Sequence, residues 1–265
     1  MSLNNQRILE IAQEQSAIDC SCAASDFTGP ASRVHQSLAS QNARRYLALP
    51  HLCDLVSYGS NVVACCAPEL IPLLERFISD MPSPAACFET PGLYALNDLL
   101  APWDARVCFM AEYFLPDVDA IHAFRPDCAF ELRLLGPEDF ADLYLPQWGN
   151  ALGLSHPERD VLGVGAYDDG RLVGLAGCSA DCGTMWQIGI DVLPDHRRRG
   201  IASALTNRLA RECLAREIVP FYCAAWSNVR SVRNALRAGF RPGWVEITAK
   251  PNAFIADMAA KRRNP

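Results

Sequence analysis

Residues 185–202 read MWQIGIDVLPDHRRRGIA, and this stretch decides the fold. Ile188, Ile190 and Val192 alternate as an apolar strand, and Pro194–Asp195 turns the chain. Three arginines, Arg197, Arg198 and Arg199, then lead into Gly200. A helix pattern starts at Ile201, with Leu205, Leu209 and Cys213 following at four-residue intervals. A strand that passes through a basic glycine turn into a helix start is an anion cradle. The first backbone N–H groups of the helix have no partner within it, and its dipole favours an anion there by about 0.3–1 kcal/mol.

Outward from that stretch the pattern stays regular. Phe130–Leu135 alternates as a strand, and Pro137 opens a helix expected to reach Leu152, with Pro146 as a kink or break. Asp168-Asp-Gly170 joins two apolar strands as a hairpin. After the helix over 201–216 come a strand at Phe221–Trp226 and a helix over 229–238 ended by Gly239. A last strand lies at about Trp244–Ala249. The order from residue 129 is therefore β-α-β-β-β-α-β-α-β.

The first half is mixed α and β. Helices are expected over 4–24, 38–48, from Pro68, and over 92–101. A hairpin is expected across 54–66 and a strand over 106–115. The domain boundary falls near HAFRPDC, giving domains 1–125 and 129–265. Asp117 and Asp119 read as solvated turn residues, and the spacing of Cys178 and Cys182 suits no common zinc pair, so no metal is expected.

The net charge of −6 is unevenly spread. Residues 1–186 carry 10 basic against 24 acidic side chains, and residues 187–265 carry 14 against 6. A basic segment in an acidic chain fits a small polyanion better than nucleic acid. The acidic remainder would favour a cationic partner such as an amine. No apolar run reaches the length of a membrane span, and the N-terminus has no signal-peptide pattern. The twelve cysteines, many in apolar runs, read as reduced, buried thiols of a cytoplasmic protein.

At this point the residues resemble the GNAT acyltransferases, whose cofactor motif is Gln/Arg-x-x-Gly-x-Gly/Ala. Here it reads Arg197-Arg198-Arg199-Gly200-Ile201-Ala202, after Val192-Leu193-Pro194-Asp195. Asn228 and the helix ending Arg237-Ala238-Gly239-Phe240 match the second motif. The resemblance covers 129–250 and implies a mixed α/β sheet flanked by helices, preceded by a smaller N-terminal α/β domain. That first domain either shapes the acceptor site, is a degenerate copy of the same fold, or binds a partner.

The resemblance also implies acetyl-CoA as co-substrate. Arg197–Arg199 would be its counterions, and Gly200, Ile201 and Ala202 would leave room for phosphate against the backbone. Val192 and Leu193 would take the pantetheine arm where the strands part, with Asn228 and Ser231 adding contacts. The expected reaction moves an acetyl group to a small-molecule or peptide amine by direct attack in a ternary complex, and a homodimer is compatible with it. Arg230, Arg233 and Arg237 share a helix face that suits a cofactor rim or solvent.

Two departures from the family pattern bear on catalysis. The tyrosine expected four residues before Gly239 is Ala235, and Met185-Trp186-Gln187 supplies no glutamate base. Asp191 and Tyr222 are the substitutes best placed for proton transfer, ahead of Glu246 and His156. Cys223 ranks lower, because direct transfer needs no covalent intermediate. The alternative is a catalytically weak or inactive acyl-CoA sensor of the same fold.

Overall fold

The computed structural model describes residues 3–263. Its packing divides into two units, Met1–Ala12 with Tyr113–Gly243, and Gln13–Glu112 with Trp244–Pro265. The sequence reading places a single division at 125–129. The packing instead crosses the chain three times, because three elements run from one unit into the other. These are helix α1 (Asn5–Asp19) and strands β4 (Ala105–Pro116) and β10 (Phe240–Pro251).

The first unit holds the sheet order β4-β9-β8-β7-β6-β5. Its further strands are β5 (Glu131–Leu135), β6 (Asp160–Asp168), β7 (Arg171–Ser179), β8 (Met185–Val192) and β9 (Val219–Ala225). Its helices are α4 (Val118–Ala123), α5 (Ile201–Ala215) and α6 (Val229–Ala238). Pairing is antiparallel from β5 to β8 and parallel between β8 and β9.

Helix α5 buries Ile201, Leu205, Leu209 and Cys213 in one core with Val164, Val173 and Ile188. Each of the two leucines contributes about 1.5–3 kcal/mol by leaving water. Asn207, on the same helix, donates from Nδ2 to the carbonyls of Ile121 (3.0 Å) and Ala238 (2.9 Å). Arg211 also donates to the Ile121 carbonyl. These bonds fix α4 within this unit, ahead of the expected boundary. Asp117 is the N-cap of α4, its carboxylate accepting from the Ala120 amide.

The long helix expected over 137–152 is absent. Short 3-10 turns at Pro137–Asp139 and Pro146–Trp148 take its place. Phe140, Trp148 and Leu152 pack with Leu135 and Leu175 as a separate small core, which a straight helix interrupted by Pro146 could not reach together.

In the second unit, β1 (Arg33–Gln36), β3 (Val63–Cys66) and β2 (Cys53–Ser57) are followed by β10 in the sheet. One face is apolar. Cys53, Leu55, Ala64, Cys66, Ile247 and Ala249 form a core with α2 (Ile71–Asp80) and α3 (Gly92–Leu100). The opposite face lies under the end of α1 and carries polar groups. There Arg44 Nη1 meets Asp19 Oδ2 at 2.7 Å, with both side chains almost wholly buried.

That pair also explains why 38–48 is not helical. The Arg44 amide donates to Asp19 Oδ1 (2.9 Å), which bends the segment into turns against α1. Burial pushes the carboxyl of Asp54 up to about 7 and that of Glu246 up to about 8, the latter also repelled by Asp54. Burial, with Lys250 adding repulsion, brings His51 down to about 4.

The C-terminal helix α7 (Asn252–Arg263) has no counterpart in the sequence reading. Among the described residues all twelve cysteines are free thiols, and no helix is long and apolar enough to cross a membrane.

Candidate functional site

The parallel register between β8 and β9 runs from Met185↔Val219 to Ile188↔Tyr222 and stops there. Beyond it Gly189–Val192 stay paired to β7 alone among the described residues, so the strands part. A cleft of about 880 Å³ opens at the parting. Val192, the Arg197–Arg198 turn and the first turn of α5 line one wall, and Ser231, Asn234 and three arginines of α6 line the other.

Gly200 is the N-cap residue of α5, at φ +75. The amides of Ile201, Ala202 and Ser203 have no acceptor among the described residues and stand at the positive end of a 15-residue helix. Arg197, Arg198, Arg230, Arg233 and Arg237 all line the cleft, and none forms an ion pair among the described residues. His196, on the same wall, binds Asp168 Oδ2 through Nε2 at 3.1 Å, and its Nδ1 is buried without a partner. Positive charge and unused donors thus converge on a cavity large enough for an extended ligand.

Of the residues selected from the sequence, Asp191, Val192, Arg197, Arg198, Gly200, Ile201, Ala202, Tyr222 and Ser231 line this cleft. Leu193, Arg199 and Asn228 do not, and each is engaged elsewhere. The Leu193 amide donates to the Val173 carbonyl at 3.0 Å, which extends the sheet. The Arg199 guanidinium lies over the Phe130 ring at 4.4 Å. Asn228 Oδ1 accepts from the Ser231 amide as the N-cap of α6.

The packing adds a second reason for a glycine at position 200. A Cβ there would run into the Asp127 carbonyl, so the glycine makes room for the chain itself.

Asp191 also has a different use. Its Oδ2 accepts from the amides of Asn150 (2.8 Å) and Ala151 (3.0 Å), and its Oδ1 from Asn150 Nδ2 (2.6 Å). With both oxygens committed, the carboxylate anchors the 146–151 turn at the cleft mouth. Asp191→Ala should therefore cost about 2–3 kcal/mol of stability, the range for charge-assisted bonds. A variant that keeps its melting temperature while losing activity would restore Asp191 as a base.

Ala235 is wholly buried in the main core, leaving no space at that position for a tyrosine. Tyr222 is buried against Phe240 but borders the cleft. Glu246 is buried in the other unit, and His156 pairs with Glu158 on the surface outside the cleft.

The sequence reading did not select Asn150, His196, Ser203 or Asn234, which also line the cleft. Asn234 shows why. Its role depends on a bond to Thr206 Oγ1 (3.0 Å) across two helices, which no local pattern marks.

The Acetyltransferase (GNAT) family model matches residues 119–240. This segment is a GNAT domain. Solved structures similar to the chain include a putative GNAT acetyltransferase from Novosphingobium aromaticivorans, at 23% identity and a TM-score of 0.42 over 55% of this chain and 66% of that one. A tandem GNAT protein of the clavulanic acid biosynthesis pathway is 18% identical, with a TM-score of 0.45 over 61% of this chain and 59% of that one. An aminoglycoside N-acetyltransferase in complex with CoA is 20% identical, with a TM-score of 0.33 over 42% of this chain and 88% of that one. The chain thus spans less than two thirds of the length of the first two. No curated protein matches the chain. The mixed α/β sheet with flanking helices is the GNAT fold, and the chemistry of the family is acyl transfer.

Proposed function

We propose that the GNAT domain binds acetyl-CoA and passes its acetyl group to an amine by direct attack in a ternary complex. The observation that carries this reading is the cleft at the parted strands, where five arginines without ion-pair partners and three free helix amides converge. The phosphates of coenzyme A carry about −4 in total, which matches that surplus of donors and positive charge. The amides of 201–203 with Arg197 and Arg198, and the arginines of α6, would hold those phosphates. When bound, acetyl-CoA supplies an activated thioester carbonyl. Gly189–Val192, unpaired on their β9 side, offer backbone groups to the pantetheine arm and to an oxyanion. No cysteine lines the cleft among the described residues, which favours direct transfer over an acyl-enzyme.

Tyr222 is the group placed to protonate the departing thiolate. The amine would attack as the free base, since the one carboxylate in the cleft wall among the described residues is engaged with the 146–151 turn, and the proton that its nitrogen loses on forming the amide would restore the Tyr222 phenol. Calorimetry with acetyl-CoA, followed by thiol release over a panel of small amines, amino sugars and peptide N-termini, tests the reading. Absence of binding at millimolar cofactor would overturn it, and binding without release across the panel would favour the sensor. In an active preparation Tyr222→Phe should lower kcat about 100-fold with little change in cofactor affinity. An unchanged kcat would assign the proton to another donor.

A further inference from the structure

The second unit carries a feature that acyl transfer does not use. On the polar face of its sheet, β3 places Cys65 opposite Asp54 of β2, and Asp54 stands opposite Thr248 of β10. Directly opposed residues present their side chains on the same face. Thr248 Oγ1 donates to Asp54 Oδ1 at 2.6 Å. From above, α1 ends at Asp19, and Cys20 follows it with its thiol close to that of Cys65. The Sγ atoms of Cys20 and Cys65 and a carboxylate oxygen of Asp54 lie within 4.8 Å of one another, and all three residues are buried.

Beside them is a cavity of about 10 Å³, walled by Cys20, Asp54, Ser16, Asp19, His51 and Glu246 among others. That is room for one water-sized species and excludes an organic ligand. Three carboxyl groups face the space, against one guanidinium, that of Arg44, which is paired with Asp19.

We propose that Cys20, Asp54 and Cys65 hold a zinc ion, with a water in the cavity as fourth ligand. Two thiolates and one carboxylate make a borderline-soft donor set that selects zinc over magnesium or calcium, and three protein ligands plus water complete a tetrahedron. Thr248 then acts on the metal through Asp54, orienting that carboxylate with its hydroxyl. The three ligands come from the C-terminal end of α1, β2 and β3, so the ion ties the helix to the sheet. Binding releases the two thiol protons. A second trio, Cys22, Asp26 and His35, lies in the same unit. It is less buried, and Asp26 Oδ2 there already accepts from the Ala23 amide and meets His35 Nε2 at 3.2 Å.

The test uses the full chain purified without chelator. Elemental analysis should find about one zinc per chain. Exchange for cobalt should give thiolate-to-cobalt charge-transfer absorption and the d–d bands of a tetrahedral site. Cys20→Ser/Cys65→Ser and, separately, Asp54→Asn should lose the metal, while Cys87→Ala, altered in the apolar core, should keep it. Should the double variant fail to fold, the cobalt spectrum of the unaltered chain still decides. A chain with no zinc and no thiolate–cobalt band overturns the proposal, as does a Cys20–Cys65 disulfide in the purified protein. Zinc retained by the folded double variant and lost in Cys22→Ser overturns it in favour of the other trio.

Discussion

Arg44→Met is expected to destabilise the protein by about 3–5 kcal/mol, the cost of removing one member of a buried ion pair. The pair is 2% and 6% exposed, so water cannot take over the orphaned charge. Without the guanidinium, Asp19 keeps the Gln15 side chain (3.0 Å) and the residue-44 amide (2.9 Å) on Oδ1 and loses its partner on Oδ2. Asp54 and Glu246 line the same cavity, so the variant also removes the one guanidinium that faces those carboxyls. The Trp244 ring loses the guanidinium 5.1 Å above it, while its stacking on Tyr58 at 5.5 Å is untouched. Urea unfolding of the full chain measures the loss. Adding Asp19→Asn should return part of it, because the cost comes from the unpaired carboxylate. A loss below about 1 kcal/mol would mean that the site relaxes to admit water.

How much of this could be read beforehand follows from the range of the interactions involved. The hairpin at Asp168–Gly170, the Gly239 cap and the α5 stripe are local signals, and each element stands where its residues put it. The cradle was legible for the same reason, since its turn and helix start are contiguous in sequence. Two helices failed where tertiary bonds outweighed local preference. Arg44 draws 38–48 onto Asp19, and Phe140 with Trp148 draws 137–152 into a small core.

The place of Asp191 on its strand is legible in the sequence, and its hydrogen-bond partners are not. Its three bonds reach residues 40 and 41 positions earlier in the chain. The trio of Cys20, Asp54 and Cys65 was hidden more completely. Only strand register and helix packing bring it together, and no spacing rule covers such separations.

Gly200→Val is expected to weaken acetyl-CoA binding by at least about tenfold, or roughly 1.4 kcal/mol, and to lower stability as well. The two effects share one cause. At φ +75 a β-branched residue is strained, and its Cβ would collide with the Asp127 carbonyl, a backbone group that no rotamer change can move aside. Either the 127–128 segment or the start of α5 must shift. A shift of the helix start takes the amides of 201–203 away from the arginines that share the cleft.

Because the clash begins at Cβ, Gly200→Ala should show most of the effect, which separates this account from one based on side-chain bulk. Arg230→Ala/Arg233→Ala provides the contrast. It removes two exposed charges and no packing, so cofactor affinity should fall and depend less on salt while the melting temperature holds. Calorimetry at two ionic strengths, with thermal unfolding of each variant, reads all of these. A Gly200→Val protein that binds acetyl-CoA as the unaltered chain does would place the phosphates somewhere other than the first turn of α5.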